Sequence, residues 1–218
     1  MSEDFRMWKK KNLPGLRALV RSVRYIFKRP RWFFQREIMK NSIFISEFEI
    51  AEASLFPRRV IDRVIDMFRP SSVLDLGCGV GRALEYFHDR GIDVQGVEGS
   101  ELAISKAKYP DKILQYNLEK ELNLKKRFDL IWSFEFVEHI HPKYVDNLLK
   151  TFSNHSDKVV VSAAPPGQGG DGHFNEQLPV YWIEKFKQYG YAFDQPRSEE
   201  LRKLEDSYSQ NLIVFERK

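Results

Sequence analysis

Two groups of residues in this chain have the types and spacing to do chemistry. One lies in FDLIWSFEFVEHI, residues 128–140, where Glu135, Glu138 and His139 form the pattern Glu-x-x-Glu-His. On a helical turn, positions i, i+3 and i+4 share a face, so two carboxylates and an imidazole can converge. Such a set suits Mg²⁺, Mn²⁺ or Zn²⁺. The other group lies in VLDLGCGVGRAL, residues 73–84, where Gly77, Gly79 and Gly81 follow Asp75. Glycines allow a tight turn and close approach of backbone to a ligand, and the helix that follows offers unpaired N–H groups.

The glycine group has a companion. About 20 residues further on, Gly96-Val97-Glu98-Gly99 places a carboxylate at the end of a second strand, where a ribose diol would find its acceptor. The pattern Asp75-x-Gly77-x-Gly79-x-Gly81 with Glu98 resembles the first two motifs of class I S-adenosylmethionine-dependent methyltransferases. NAD-binding proteins usually show Gly-x-Gly-x-x-Gly, a different spacing. The resemblance spans roughly residues 70 to 217 and implies that S-adenosyl-L-methionine is the cofactor. By position it implies that the backbone of Gly77, Cys78 and Gly79, with Gly81, binds the methionine portion, and that Asp75 places the amino group. It gives Glu98, beside Gly99, the ribose hydroxyls. Asn117, where many relatives have Asp, takes the adenine amino group beside the backbone of Leu118, and Ser133 and Phe134 lie along the methionine arm.

The Glu-x-x-Glu-His pattern is similar to that of small-RNA 3′-terminal 2′-O-methyltransferases and ubiquinone-pathway O-methyltransferases, where it resembles a metal site. In the RNA family a later His before an aromatic-rich helix completes the set. His173, in GGDGHFNEQLPVYW, stands in a comparable place, so the resemblance implies Glu135, Glu138, His139 and His173 as metal ligands. Glu-His before an aliphatic residue is also common in class I enzymes without metal, where the His lines the substrate cavity. A hydroxyl acceptor must lose its proton as it attacks, to a nearby His or to a metal that lowers its pKa. His139 is the first candidate base and His173 the second. His141, before Pro142, reads as a solvent-facing helix start, and His88 and His155 read as surface positions. The loop from Pro165 to Gly172 holds four glycines and two prolines, as a substrate lid would. Asn175, Gln177, Tyr181 and Trp182 offer amides and aromatic faces suited to sugars, although Tyr181 and Trp182 also fit core packing.

The elements that must position these groups follow from periodicity. Val73 to Leu76, Asp93 to Val97, Ile113 to Leu118, Phe128 to Phe134 and Lys158 to Ala163 read as strands. Helical patterns over Arg82 to Arg90, Ser100 to Lys108, Pro142 to Phe152 and Val180 to Tyr189 alternate with them. Tyr191 to Asp194 and Leu212 to Phe215 read as a hairpin-like closing pair. The fold expected is α/β, a Rossmann-like, seven-stranded and mostly parallel sheet with helices on both faces. Ligands of such sheets bind at the carboxyl ends of the strands, where strand order reverses.

Charge divides the chain differently. The first 40 residues hold 12 basic and three acidic side chains, a balance of +9, so the rest carries −5 of the net +4. Between Pro14 and Pro30, Leu16, Leu19, Val20, Val23, Ile26 and Phe27 recur at helical spacing, flanked by Arg17, Arg21, Arg24 and Lys28. Trp32, Phe33 and Phe34 follow, and a second helical pattern runs from Ile50 to Phe68 across Pro57. Residues 1–45 are therefore expected to form a basic amphipathic helical arm and residues 46–218 a methyltransferase domain. Residues 13–34 suit peripheral contact with an anionic membrane, a cover over the domain's own cleft, or RNA phosphates.

With 42% hydrophobic residues the chain can build a core and is not disordered. No uncharged apolar run approaches the ~18 residues of a membrane span, and no signal-peptide core precedes the arm. The single cysteine excludes an intrachain disulfide, so a cytoplasmic setting is expected, peripheral to the membrane if the arm binds there. The leading functional expectation is an O-methyltransferase acting on a sugar, glycan or other small polyhydroxy acceptor. The alternatives are an RNA 2′-O-methyltransferase with a metal-assisted site, and a methyltransferase-fold binding module without catalysis.

Overall fold

The computed structural model describes residues 56–204 and 206–217. The basic arm, its aromatic run and the part of the second helical pattern before Phe56 lie outside the described residues. The elements run in the order α1 (Arg58–Phe68), β1 (Ser72–Leu76), α2 (Arg82–His88), β2 (Asp93–Glu98), α3 (Glu101–Ser105) and β3 (Ile113–Gln115). Then come β4 (Leu130–Ser133), α4 (Val145–His155), β5 (Lys158–Ser162), α5 (Pro179–Lys187), β6 (Tyr191–Phe193), α6 (Gln195–Arg202) and β7 (Leu212–Arg217).

The seven strands form one sheet in the order β3-β2-β1-β4-β5-β7-β6. All neighbours are parallel except β7, which runs antiparallel to both β5 and β6. Such a sheet must be covered on both faces, so its inner strands are apolar without alternation. Every residue of Leu130–Ser133 is buried, and in β1 and β5 only the first residue is not. On one face Leu74, Leu76, Ile131 and Val161 pack against Leu148, Leu149 and Phe152 of α4 and Trp182 and Phe186 of α5. On the other, Val73, Leu130, Trp132 and Val160 meet Val60 and Val64 of α1, Leu84 and Phe87 of α2 and Leu201 of α6. Phe186 stacks on Phe215 with centroids 4.1 Å apart, which adds about 0.5–1.5 kcal/mol to the area it buries.

The chain leaves β1 for β2 and β3 on one side and returns to β4 on the other. The crevice beyond the carboxyl ends of β1 and β4 is thus the switch point. Both candidate chemical groups sit there, since Gly77 directly follows β1 and Glu135 comes two positions after the end of β4.

Three expectations are corrected. The closing strands are adjacent and antiparallel, but α6 separates them in sequence, so they are not joined as a hairpin. Asp194 starts this helix by accepting from Arg197 N at 3.0 Å, ahead of Pro196 in the first turn. The helix buries only Ser198 and Leu201, too few for a visible apolar stripe. β3 ends at Gln115, because Asn117 turns the chain, its side-chain oxygen accepting from Glu119 N at 2.9 Å. His155 is fully buried rather than at the surface. Its Nδ1 donates to Thr151 O at 2.6 Å and its Nε2 accepts from Leu124 N at 2.9 Å, and burial lowers its pKa. It ties a loop into the core. His88 is half-buried against the Tyr109 ring, 4.4 Å between centroids.

Candidate active site

The turn after β1 needs its glycines. Gly77, Gly79 and Gly81 have φ of +72°, +54° and +74°, the left-handed region that side chains resist. At Gly77 a Cβ would lie 2.1 Å from the ring of Phe136, so only hydrogen fits. Phe136 belongs to the loop after β4, and the contact therefore brings the two halves of the switch point together.

Glu98 holds this turn to the next one. Its Oε2 accepts from Gly79 N at 2.9 Å, and its Oε1 accepts from Gly99 N and Ser100 N, each at 2.8 Å. Burial raises its pKa, against those three N–H groups. Asp75, 3% exposed, keeps Oδ2 without a hydrogen-bond partner among the described residues. Burial first, and the charge of Glu98 second, push its carboxyl up to about 8. Cys78 is partly buried and burial pushes its thiol well up. Ser133 is buried and its hydroxyl donates to Leu76 O at 2.9 Å, while Phe134 stacks on Trp132 at 5.4 Å. Asn117 is exposed, and beside it Leu118 sinks into the core.

These features suit a cationic, ribose-bearing ligand. Oδ2 of the buried Asp75 is open to a positive or hydrogen-bonding group, Oε2 of Glu98 retains a lone pair, and the turn gives the ligand backbone rather than side chains.

On the opposite side of the crevice the structure divides the Glu-x-x-Glu-His pattern. Only Val137–His139 form a helical turn, and a short 3₁₀ one. Glu135 precedes it with φ +47°, a left-handed residue that turns its side chain off the face expected of it. Its backbone N–H donates to Ser162 Oγ at 2.6 Å. Its carboxylate accepts from Gln168 Nε2 at 2.6 Å and Asn211 Nδ2 at 3.0 Å. Glu135 is therefore outside the convergent set expected from the spacing.

The residues that do converge are Glu138, His139 and His173, with one ligand atom of each within 4.8 Å of the others. Glu138 is fully buried with neither carboxylate oxygen hydrogen-bonded among the described residues. Burial, then the charge of Glu135, raises its pKa well above the usual range. The rings of His139 and His173 meet edge to face at 4.8 Å. Burial, then His173, lowers the pKa of His139 to about 4, so its imidazole is neutral at pH 7.

The glycine loop lies on this pair. A Cβ on Gly172 would come within 3.2 Å of His139 Nδ1, and one on Gly170 within 2.4 Å of His173 Nε2. Far from loose, the loop is fastened by Glu176, which receives Gly167 N at 2.7 Å and Gly169 N at 2.6 Å. Asn175 is buried, its N–H on Glu138 O at 2.9 Å. Trp182 is a core residue, 1% exposed, and Tyr181 packs beside it. His141 caps a turn by accepting from Lys143 N at 3.3 Å. Sequence reasoning missed Phe136, Glu176 and Asn211. Only Glu176 carried a signal, a carboxylate three residues after a histidine.

Known proteins agree with this architecture. Residues 50–199 match the family model described as a methyltransferase domain. No curated protein matches the sequence. A TehB-like SAM-dependent methyltransferase from Corynebacterium glutamicum is similar in structure, at TM-score 0.56 and 18% identity over 87% of this chain and 96% of that one. DesVI of Streptomyces venezuelae gives TM-score 0.59 and 20% identity over 78% and 92%. The methyltransferase domain of bacterial CtHen1-C gives 0.56 and 20% over 73% and 95%. With the matched segment covering more than half of the chain, the protein belongs to the class I S-adenosylmethionine-dependent methyltransferases.

Proposed function

We propose that this enzyme methylates oxygen, on a hydroxyl of a sugar, glycan or other small polyhydroxy acceptor. The observation that carries the reading is the pair of half-buried imidazoles, His139 and His173, meeting edge to face in the loops beyond β4 and β5. S-adenosylmethionine supplies, when bound, a methyl group already activated on a sulfonium. The protein's share is then to orient the acceptor, keep water out and remove a proton. His139, neutral at pH 7, can receive the hydroxyl proton, with His173 as its neighbour. Gln177 and the buried Asn175 supply amides for hydroxyl groups.

The cofactor roles belong to the same proposal. Asp75 takes the amino group, Glu98 the ribose through Oε2, Asn117 and the Leu118 backbone the adenine. Gly77, Cys78, Gly79, Gly81 and Gly99 supply backbone, and Ser133 and Phe134 line the methionine arm.

A second reading, RNA 2′-O-methylation with a metal, draws support from the carboxyl group of Glu138, which has no hydrogen-bond partner among the described residues and has a ligand atom within 4.8 Å of those of two imidazoles. Glu138, His139 and His173 would hold the ion, and two nitrogens with one oxygen favour Zn²⁺ or Mn²⁺ over Mg²⁺. Glu135, held by Gln168 and Asn211, stands outside that set.

A screen with labelled cofactor across glycan, RNA and small-molecule acceptors tests both readings. Methylation of a hydroxyl acceptor that EDTA leaves unchanged is the expected result. Transfer to RNA that EDTA abolishes would replace it with the second reading, and transfer to nitrogen alone would defeat both.

We further assign residues 1–45 to a basic arm apart from a domain of residues 46–218, with residues 13–34 holding the enzyme at an anionic membrane surface in the cytoplasm.

A further inference from the structure

His173 is not alone in the site. Its Nδ1 lies 3.1 Å from Oε1 of Glu176, and the two side chains are only 11% and 4% exposed. A carboxylate only accepts hydrogen bonds, so this contact requires the proton on Nδ1. In a neutral imidazole the other nitrogen, Nε2, then carries the lone pair.

Glu176 is itself immobilised. Gly167 N donates to its Oε2 and Gly169 N to its Oε1, so one carboxylate collects two backbone N–H groups of the loop and the histidine. Gly170 lies between these anchors and His173, with φ +154° and no room for a Cβ against the ring. Closing the loop and orienting the histidine thus use the same carboxylate. With the loop displaced, Glu176 would lose both backbone donors and His173 its fixed partner.

We propose that Glu176 is a positioning residue that fixes His173 as the Nδ1–H tautomer, with the lone pair on Nε2, when the loop from Pro165 to Gly172 is closed over the ring. This rests on the reading that His173 serves the methyl acceptor. A carboxylate behind a metal-ligating histidine fixes its tautomer and aim and is commonly worth about ten- to a hundred-fold in activity, and a loss in the same range is expected here.

The tautomer can be read without knowing the acceptor. Two-bond ¹H–¹⁵N correlation spectra of the histidine rings in the full chain at neutral pH, with His173→Gln used for assignment, should show His173 protonated at Nδ1. In Glu176→Ala that preference should be lost, and the amides of Gly167 and Gly169 should exchange faster with solvent. Glu176→Gln should keep an acceptor for His173 but turn an NH₂ toward a backbone N–H, so only loop protection falls. Unchanged binding of S-adenosylhomocysteine would show that the variants fold. His173 protonated at Nε2 in the wild type, or at Nδ1 still in Glu176→Ala, would overturn the proposal. An acceptor screen that finds no hydroxyl substrate while the tautomer stands as expected would overturn the proposed function instead. With a hydroxyl substrate found, Glu176→Ala should lower kcat about ten- to a hundred-fold with a smaller effect on KM.

Discussion

Asp75 shows how a single residue is fitted to a ligand at some cost to the free protein. Its pKa is raised from the ordinary carboxyl range to about 8, mainly by burial. The folded state therefore holds a proton on Asp75 that the unfolded chain releases near pH 4. Stability contributed by the protonated carboxyl is present below pH 4 and is lost as pH rises toward 8. We expect the melting temperature of the ligand-free protein to fall between pH 5 and 8, and to fall less in Asp75→Asn. The same slope in both proteins would show that Asp75 does not carry it. In the variant, S-adenosylhomocysteine should bind at least about tenfold more weakly, as measured by calorimetry, through loss of a charge-assisted contact. The pair Asp75 and Glu98 was legible in the sequence, because both end strands that feed glycine turns. The partnership of Phe136 with Gly77 was not, since it joins residues 59 positions apart through a packing contact.

At the scale of elements, local signals and tertiary packing divide the work. Ser100 caps α3 through Ala103 N at 3.1 Å, and Asp194 caps α6 while pairing with Arg197 at 2.7 Å. Asp194→Ala should therefore destabilise the fold by about 0.5–2 kcal/mol, the usual loss for a cap. Urea unfolding should show the midpoint falling with the slope unchanged, and no shift in midpoint would mean that packing against β7 alone holds this helix. The strand pattern was readable because inner parallel strands are continuously apolar. Helix α6 was not, although Asp-Gln-Pro announces its start, because its length is mostly polar. His155 was misread for a related reason. It follows a polar pair, Ser153-Asn154, and only the fold shows that Leu124 N and Thr151 O surround it.

For the whole molecule, charge is divided unevenly, with residues 1–40 at +9 and the rest at −5. None of the described helices is long and apolar enough to cross a membrane. Removing residues 1–40 should abolish binding to vesicles containing anionic lipid in a flotation assay, while leaving S-adenosylhomocysteine binding unchanged. Vesicle binding that survives the deletion would dispose of the arm as an anchor, and loss of cofactor binding would mark it instead as a cover for the cleft. The sequence by itself determined the sheet, its switch point and the glycine turn, because each depends on periodicity or on backbone conformations within a short stretch. It also brought Glu138 and His139 to notice. Only the tertiary structure decided which carboxylate serves which partner. One left-handed residue at Glu135 breaks the helical face on which the spacing argument stood and sends that side chain to Gln168 and Asn211. The folded glycine loop then brings His173 and Glu176 in from another part of the chain. Spacing predicts neighbours only along a regular element, and this site is assembled between elements.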